Sequence, residues 1–395
     1  MKIHRSARSL LVVLGIGITV SSAKGLLQAE SPGAEKHQMN PTLVDVPDNT
    51  WVKMSPKFDP VYRANGGFSH PHSESVCVYD SGGNVSVWWG GCSSGYTNQT
   101  WIYDCSADLW KEGNIDRYKL RDPTKGAQGG KYVFDDSVPK GGCSYGAAYD
   151  PELKGIIYGN SIQSGWVDPP LEIRNTLKPF NVWLYRAAEN RWEKVPRNAD
   201  PSKNRPRNDG GYMLCYDTKH KKTLMFGGLD SAGGDSNHLY EYDSRENAWK
   251  KLNPQGPLPP PRLYHTWVFD EKRGLAIAHG GRTEVGKPVR YTDTWEYNPA
   301  ANSWTEIKTP NHPSASLGPA AYDAANGVVV KYCCSSRDGS SETWVYDPAK
   351  QDWLHMKPQT APRGGSPMYL TCYDKVNNVT LVVAGDQTWV YRYKR

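Results

Sequence analysis

The chain offers little that would cross or coat a membrane. Its one sustained apolar stretch, residues 10–20, covers 11 positions, against the roughly 20 a spanning helix needs. Mean hydropathy is −0.68, which excludes a multi-span membrane protein. No Lys/Arg-rich block stands out, so a nucleic-acid partner has no electrostatic footprint. The eight cysteines lack metal-finger spacing, and no metal or cofactor is expected. What is abundant points elsewhere. Gly 38, Pro 29, Tyr 24 and Trp 15 favour strands and turns over long helices. The 395 residues suffice for one large β domain or two ordinary ones.

The first 23 residues read as an address. Lys2, Arg5 and Arg8 form a basic n-region, residues 10–20 an apolar core, and Ser21-Ser22-Ala23 a small-residue cleavage site. No cysteine follows the apolar run at a lipid-anchor position, so export and cleavage near Ala23 are expected, with no membrane span afterwards. The destination is secreted, periplasmic or cell-surface. Without the leader's three basic residues the net charge falls from +6 to +3. Residues 24–49 carry few aromatics and no periodicity, and read as a flexible segment leading into the domain.

Internal repetition settles the fold class. An aromatic, one residue, then Tyr, with Trp seven residues further on, occurs at Trp101/Tyr103/Trp110, Trp183/Tyr185/Trp192, Tyr240/Tyr242/Trp249, Trp295/Tyr297/Trp304 and Trp344/Tyr346/Trp353. An aromatic-Asp pair precedes each copy: Tyr79-Asp80, Tyr149-Asp150, Tyr216-Asp217, Phe269-Asp270 and Tyr322-Asp323. Tyr373-Asp374 opens a sixth unit. A polar turn and an apolar run follow each pair. Gly90-Gly91, Gly227-Gly228 and Gly280-Gly281 close three of the runs, with degenerate versions at Gly159-Asn160, Cys333-Cys334 and Ala384-Gly385. Each unit therefore reads as four short strands, a to d. Strand a ends at the aromatic-Asp pair, b at the glycines, c carries aromatic-x-Tyr and d the Trp.

These units resemble the kelch repeat, the four-stranded blade of a β-propeller. The resemblance covers residues 50–395 and implies an all-β, six-bladed propeller. The sixth unit reaches Trp389-Val390-Tyr391, and its strand d would fall beyond Arg395. Thr50-Trp51-Val52-Lys53-Met54 looks like Asn302-Ser303-Trp304-Thr305-Glu306, so an N-terminal strand is expected to complete the last blade and close the ring.

In such a blade the b–c and d–a loops share one face. The long insertions, residues 111–142 and 161–180, both belong there. The same face collects His70, His72, Tyr145, Arg207, Asp209, Arg262, Tyr264, His265 and Arg363 at the entrances to strand a, as candidate ligand contacts at the channel mouth. Arg forks onto carboxylate, and Tyr offers stacking and a hydroxyl. Kelch repeats commonly carry Pro-Arg and a following His at this point, so Pro261-Arg262-Leu263-Tyr264-His265 also fits ordinary repeat sequence. Cys92 and Cys143 are candidate disulfide partners. Cys77, Cys215 and Cys372 read as small core residues, and Cys105 opens a c–d turn. Cys333-Cys334 is compatible with a vicinal disulfide or with two thiols. Asn84-Val85-Ser86, Asn98-Gln99-Thr100 and Asn378-Val379-Thr380 match the glycosylation pattern.

The expected function is an exported module that binds a protein or glycan through the b–c/d–a loop face. The alternative is a sugar-acid epimerase or mutarotase, since exported six-bladed kelch propellers resemble the N-acetylneuraminate epimerase family. There Arg207, Arg262, Arg363 and His265 would supply cations and an acid/base. A third reading is a copper-radical oxidase. Tyr264-His265 is similar to the adjacent Tyr-His ligand pair of galactose oxidase, but the remaining ligands of that family have no counterpart that can be placed here.

Overall fold

The computed structural model describes residues 38–59, 76–89, 100–113, 146–160, 181–203, 206, 208–230, 234–313, 317–318, 320–334, 339–363, 371–384 and 387–395, with backbone alone at 160, 181, 208 and 209. The expected leader, residues 1–23, lies outside them, as does most of both long insertions.

Six antiparallel sheets of four strands form the blades of a β-propeller. Blade 1 holds Val76–Asp80, Val85–Trp89, Thr100–Asp104 and Leu109–Glu112 as strands a to d, and Lys57–Phe58 adds a short parallel strand to its outer edge. Blade 2 holds Ala147–Asp150, Gly155–Asn160, Asn181–Arg186 and Arg191–Lys194. Blade 3 holds Met213–Asp217, Lys222–Phe226, Leu239–Asp243 and Ala248–Leu252, and blade 4 Thr266–Asp270, Leu275–His279, Thr294–Asn298 and Ser303–Ile307. Blade 5 holds Ala321–Asp323, Val328–Cys334, Ser341–Asp347 and Asp352–Met356. Blade 6 is made of Thr371–Asp374, Val379–Ala384 and Gln387–Arg392, with Thr50–Lys53 as its outer strand in the register Trp51↔Tyr391. The innermost strands pack in the order 1-2-3-4-5-6-1, and no α-helix occurs among the described residues.

The seven-residue spacing is a cross-strand pair. Tyr103 lies opposite Trp110 over a four-residue turn, and Tyr185/Trp192, Tyr242/Trp249, Tyr297/Trp304 and Tyr346/Trp353 repeat the register. Ring centroids in these pairs are 4.8–5.4 Å apart, and 5.0 Å for Trp51 with Tyr391. Such pairs contribute about 0.5–1.5 kcal/mol beyond the area they bury. The turn is fixed from the same tyrosine. Its hydroxyl donates to the side chain five residues on, in Tyr103–Asp108, Tyr185–Asn190, Tyr242–Asn247 and Tyr297–Asn302, and each acceptor has φ near +50°. Asn and Asp tolerate that left-handed backbone better than other residues with a Cβ. In the last blade the acceptor is Asn49, φ 51°, which takes the Tyr391 hydroxyl at 2.7 Å across a sequence gap of 342 residues.

Two further patterns join blade to blade. The strand d Trp donates its indole N–H to a Thr near the start of strand c of the preceding blade, in Trp110–Thr388, Trp192–Thr100, Trp353–Thr294 and Trp51–Thr343, at 2.9–3.0 Å. On the inner strands, the Tyr of one aromatic-Asp pair bonds the Asp of the preceding blade. Tyr322 donates to Asp270 at 2.6 Å and Tyr149 meets Asp80, while the Tyr79 and Tyr373 hydroxyls lie within hydrogen-bond reach of both the preceding acid, Asp374 or Asp323, and the turn residue Asn84 or Asn378. Where Phe269 replaces Tyr, Asp217 instead pairs with His220 Nδ1 at 2.7 Å. Each Asp also accepts backbone N–H groups of its own a–b turn, as Asp374 does from Val376 and Asn377. The acids are buried and these bonds engage them, except at the seam of blades 2 and 3, where one Asp150 carboxylate oxygen and the Tyr216 hydroxyl are buried without such a partner.

Of the segment expected to lead into the domain, residues 38–49 are described. Asn40 and Leu43 are buried, Pro41–Leu43 forms a 3-10 turn, and Asn40 bonds Asn377 and the Cys105 carbonyl. A single buried leucine and a doubly bonded Asn anchor this stretch without any periodic pattern.

Candidate functional site

The loop face is described most fully at blades 3 and 4. There the chain rises through Pro259-Pro260-Pro261 to Arg262, whose side chain is fully buried. Its guanidinium forks onto both Asp293 oxygens at 2.8 and 2.7 Å, donates to the Gly280 and Pro260 carbonyls at 2.9 and 3.1 Å, and lies over the Tyr291 ring at 4.7 Å. Asp293 also accepts from Trp295 Nε1 at 2.7 Å. Arg262 therefore ties the blade 4 b–c loop to the entrance of its strand a, with its donors turned into the protein.

The glycine pairs are explained by the same packing. A Cβ on Gly227 would meet the Arg262 carbonyl at 2.5 Å and the His265 ring at 2.8 Å, and one on Gly281 would meet the Leu263 carbonyl at 2.7 Å. Only glycine lets these segments approach so closely at φ of 73° and 90°. Tyr264 adopts φ 56°, and is the only aromatic among the non-glycine residues in this region of the described chain. Its N–H donates to the Gly211 carbonyl, its carbonyl accepts from Gly318, and Arg282 lies over its ring at 5.2 Å. Strain of about 1–3 kcal/mol at such a residue persists only where its surroundings hold it.

Beneath lies a buried polar layer. His265 and His279 are 0% exposed, the first edge-on to Phe226 and the second against Trp353, with His279 Nδ1 3.1 Å from Thr294 Oγ1. Burial, with the Lys331 and Arg262 cations adding, holds both imidazoles well below the usual histidine range, so they are neutral. Lys331 is also fully buried. It donates to Thr266 Oγ1 at 2.9 Å and the Gly318 carbonyl at 2.7 Å, and desolvation draws its pKa down to about 8.

Above this layer residues 282–290 form a braced hairpin. Arg282 bridges Leu263 and Arg290, Thr283 bonds Val289 through both backbone and hydroxyl, and the Glu284 and Val285 amides donate to Asp235 of blade 3 at 2.8 and 3.1 Å. Its tip exposes Val285 (51%) and Val289 (48%). Leu258, 45% exposed, lies on the d–a connection between blades 3 and 4. Only Val44 among the other described large hydrophobics is comparably exposed.

Of the sequence candidates, Arg262, Tyr264 and His265 thus gather in one buried brace at the blade 3–4 seam. Arg363 stands exposed at the entrance to blade 6, and Asp209 falls in a short two-stranded ladder, 208–210 with 229–230. His70, His72, Tyr145, Arg207, Cys92 and Cys143 lie outside the described residues. Among the described residues no group of three or more His, Cys, Asp or Glu is placed to hold a metal. The central channel is a cavity of about 380 Å³ walled by the innermost strands of all six blades, with Val78, Ala148, Leu214, Val268 and Ala321 in its lining. The sequence reading missed Val285 and Val289. The available signal was two valines inside a loop otherwise rich in Gly, Pro and charge.

Residues 165–385, more than half of the chain, match the KLHDC2/KLHL20/DRC7 Kelch-repeats domain. The chain belongs to the kelch-repeat family. This kelch propeller is also similar, over shorter stretches, to host cell factor homolog hcf-1 of Caenorhabditis elegans (39% identical over 74 residues, 18% of this chain and 10% of that one). Rho GTPase-activating protein gacHH of Dictyostelium discoideum matches at 29% over 86 residues, 22% of this chain and 6% of that one. The flagellar outer-arm dynein alpha chain of Chlamydomonas reinhardtii matches at 36% over 92 residues, 22% and 2%. The kelch propeller spans a tenth or less of each relative's length. Kelch propellers commonly bind proteins, and among the described residues no helix is long and apolar enough to cross a membrane.

Proposed function

We propose that this kelch propeller is an exported interaction module that holds a protein or glycan partner on its b–c/d–a loop face, with the blade 4 hairpin as a principal contact. One observation carries the reading: two of the four large exposed hydrophobics among the described residues, Val285 and Val289, sit on the braced hairpin of this face. Apolar side chains held in place before binding lose little freedom on association, which is where affinity is gained. Lys287 and Arg290 flank the valines, so an apolar patch with an acidic rim complements the tip. Two exposed valines favour a protein over a glycan. The leader-like residues 1–23 support delivery outside the cytoplasm.

The test compares the full chain with a Val285→Asp/Val289→Asp variant, both immobilised and exposed to secreted proteins and to a glycan array. The expected result is a retained partner whose affinity falls at least tenfold, about 1.4 kcal/mol, in a variant with an unchanged melting temperature. Equal retention by both chains would remove the hairpin from the interface.

A further inference from the structure

Cys77 and Cys372 face each other across the seam between the first and last blades, with Sγ atoms 3.2 Å apart. They lie on the innermost strands Val76–Asp80 and Thr371–Asp374, separated by 295 positions in sequence. Cys372 Sγ also lies 3.2 Å from Ser86 Oγ of blade 1, so its side chain reaches fully across the seam. Cys77 is partly accessible, and it lines the central channel together with Cys372.

The repeat explains why these two meet. Side chains alternate between the two faces of a strand, and in this propeller the Tyr of each aromatic-Asp pair looks to the preceding blade while the Asp looks to the next. Cys77 stands two residues before Tyr79, so it faces blade 6. Cys372 stands two residues before Asp374, so it faces blade 1. Two cysteines at the same repeat position would point the same way round the ring and never meet. Cys215, two residues before Asp217, shares the parity of Cys372. The corresponding position on the next blade is Trp267, so no thiol answers it there.

We propose that Cys77 and Cys372 form a disulfide that fastens the first blade to the last. The oxidant is a small-molecule or protein disulfide. One cysteine thiolate attacks it, displacing one thiol and forming a mixed disulfide. The second cysteine then attacks the mixed disulfide and releases the other thiol. The two cysteines lose two protons and two electrons in all, and the oxidant's S–S bond is reduced to two thiols. Burial, with the hydrogen bond to Cys372 adding, pushes the Cys77 thiol well above its ordinary value. Exchange is therefore favoured before the ring closes.

The full chain is refolded in a buffer of oxidised and reduced glutathione, denatured without reductant, alkylated and digested. The oxidant is supplied in the test, so the outcome does not depend on where the chain is delivered or on what it binds. Mass spectrometry is expected to find the Cys77 and Cys372 peptides joined and separated by reductant. Alkylation of both cysteines, or linkage of either to a different cysteine, overturns the proposal. A second measurement reads stability: reductant is expected to lower the melting temperature of the wild-type chain by roughly 5–10 °C more than that of a Cys77→Ser/Cys372→Ser chain. An equal response in both chains overturns it as well.

Discussion

At the scale of single residues, the seams carry hydrogen bonds that repay removal with a measurable loss. Thr294 accepts from Trp353 Nε1 and faces His279 Nδ1, all buried. Thr294→Val keeps the shape and removes the acceptor, at a cost of about 1–3 kcal/mol in urea unfolding. Val182 and Leu239 occupy the same repeat position at two other seams, so the site tolerates an apolar side chain sterically. A loss below about 0.5 kcal/mol would mean the bond contributes nothing net. Lys331 makes a prediction in pH. Its folded pKa is drawn down to about 8, while the unfolded side chain keeps its proton until about 10.5. Between these values the unfolded state binds more protons, so this residue's contribution to stability rises with pH. The stability of the wild-type chain relative to Lys331→Met should climb by about 3 kcal/mol from pH 8 to pH 10.5, and a flat difference would place an ordinary lysine there. The difference is the right quantity because buried tyrosines, with phenols raised by burial, act in the opposite sense above pH 10 in both chains.

At the scale of elements, the same four-strand unit is built six times, and its repeated residues are structural. Two of the three glycosylation-like motifs have a structural cause: Asn84 and Asn378 hold the left-handed position of an a–b turn, at φ 52° and 49°. Asn378 spends its amide on the Lys394 carbonyl and accepts from the Tyr373 hydroxyl. The blade 4 hairpin is the described element that departs from the repeat towards solvent, and Asp235 is its brace. Asp235→Ala should raise amide hydrogen exchange at Glu284 and Val285 about tenfold while changing global stability by less than about 1 kcal/mol. Protection that persists in the variant would show the hairpin to be held by its own ladder alone.

The whole molecule depends on residues far apart in sequence. Thr50–Lys53 supplies the outer strand of blade 6, Trp51 packs on Tyr332 and Tyr391, and its indole bonds Thr343 of blade 5. A chain beginning at residue 55 would leave Gln387–Arg392 as an open edge and uncover these rings. It is expected to melt at least 10 °C lower and to self-associate on size-exclusion chromatography. An unchanged monomer with an unchanged transition would show the strand to be dispensable.

Much of this was legible from the residues alone. Strand order, strand ends and blade number follow from the Tyr–Trp spacing, the aromatic-Asp pairs and the glycines, because each is a local consequence of a hairpin: a cross-strand pair, a turn cap or a close backbone approach. Which residues meet across a seam was not legible, because partners such as Trp110 and Thr388 are set by closure of the ring rather than by any local spacing. For the same reason Arg262 reads from sequence as a candidate ligand contact, whereas its fork is taken by Asp293, 31 residues on. Likewise, Cys77 and Cys372 read as two separate core residues until strand parity and ring closure set them 3.2 Å apart. Sequence determined the blade, since its forces act within about fifty residues. Tertiary structure decided the loop face and the seams, since burial and exposure there depend on where the neighbouring blade stands.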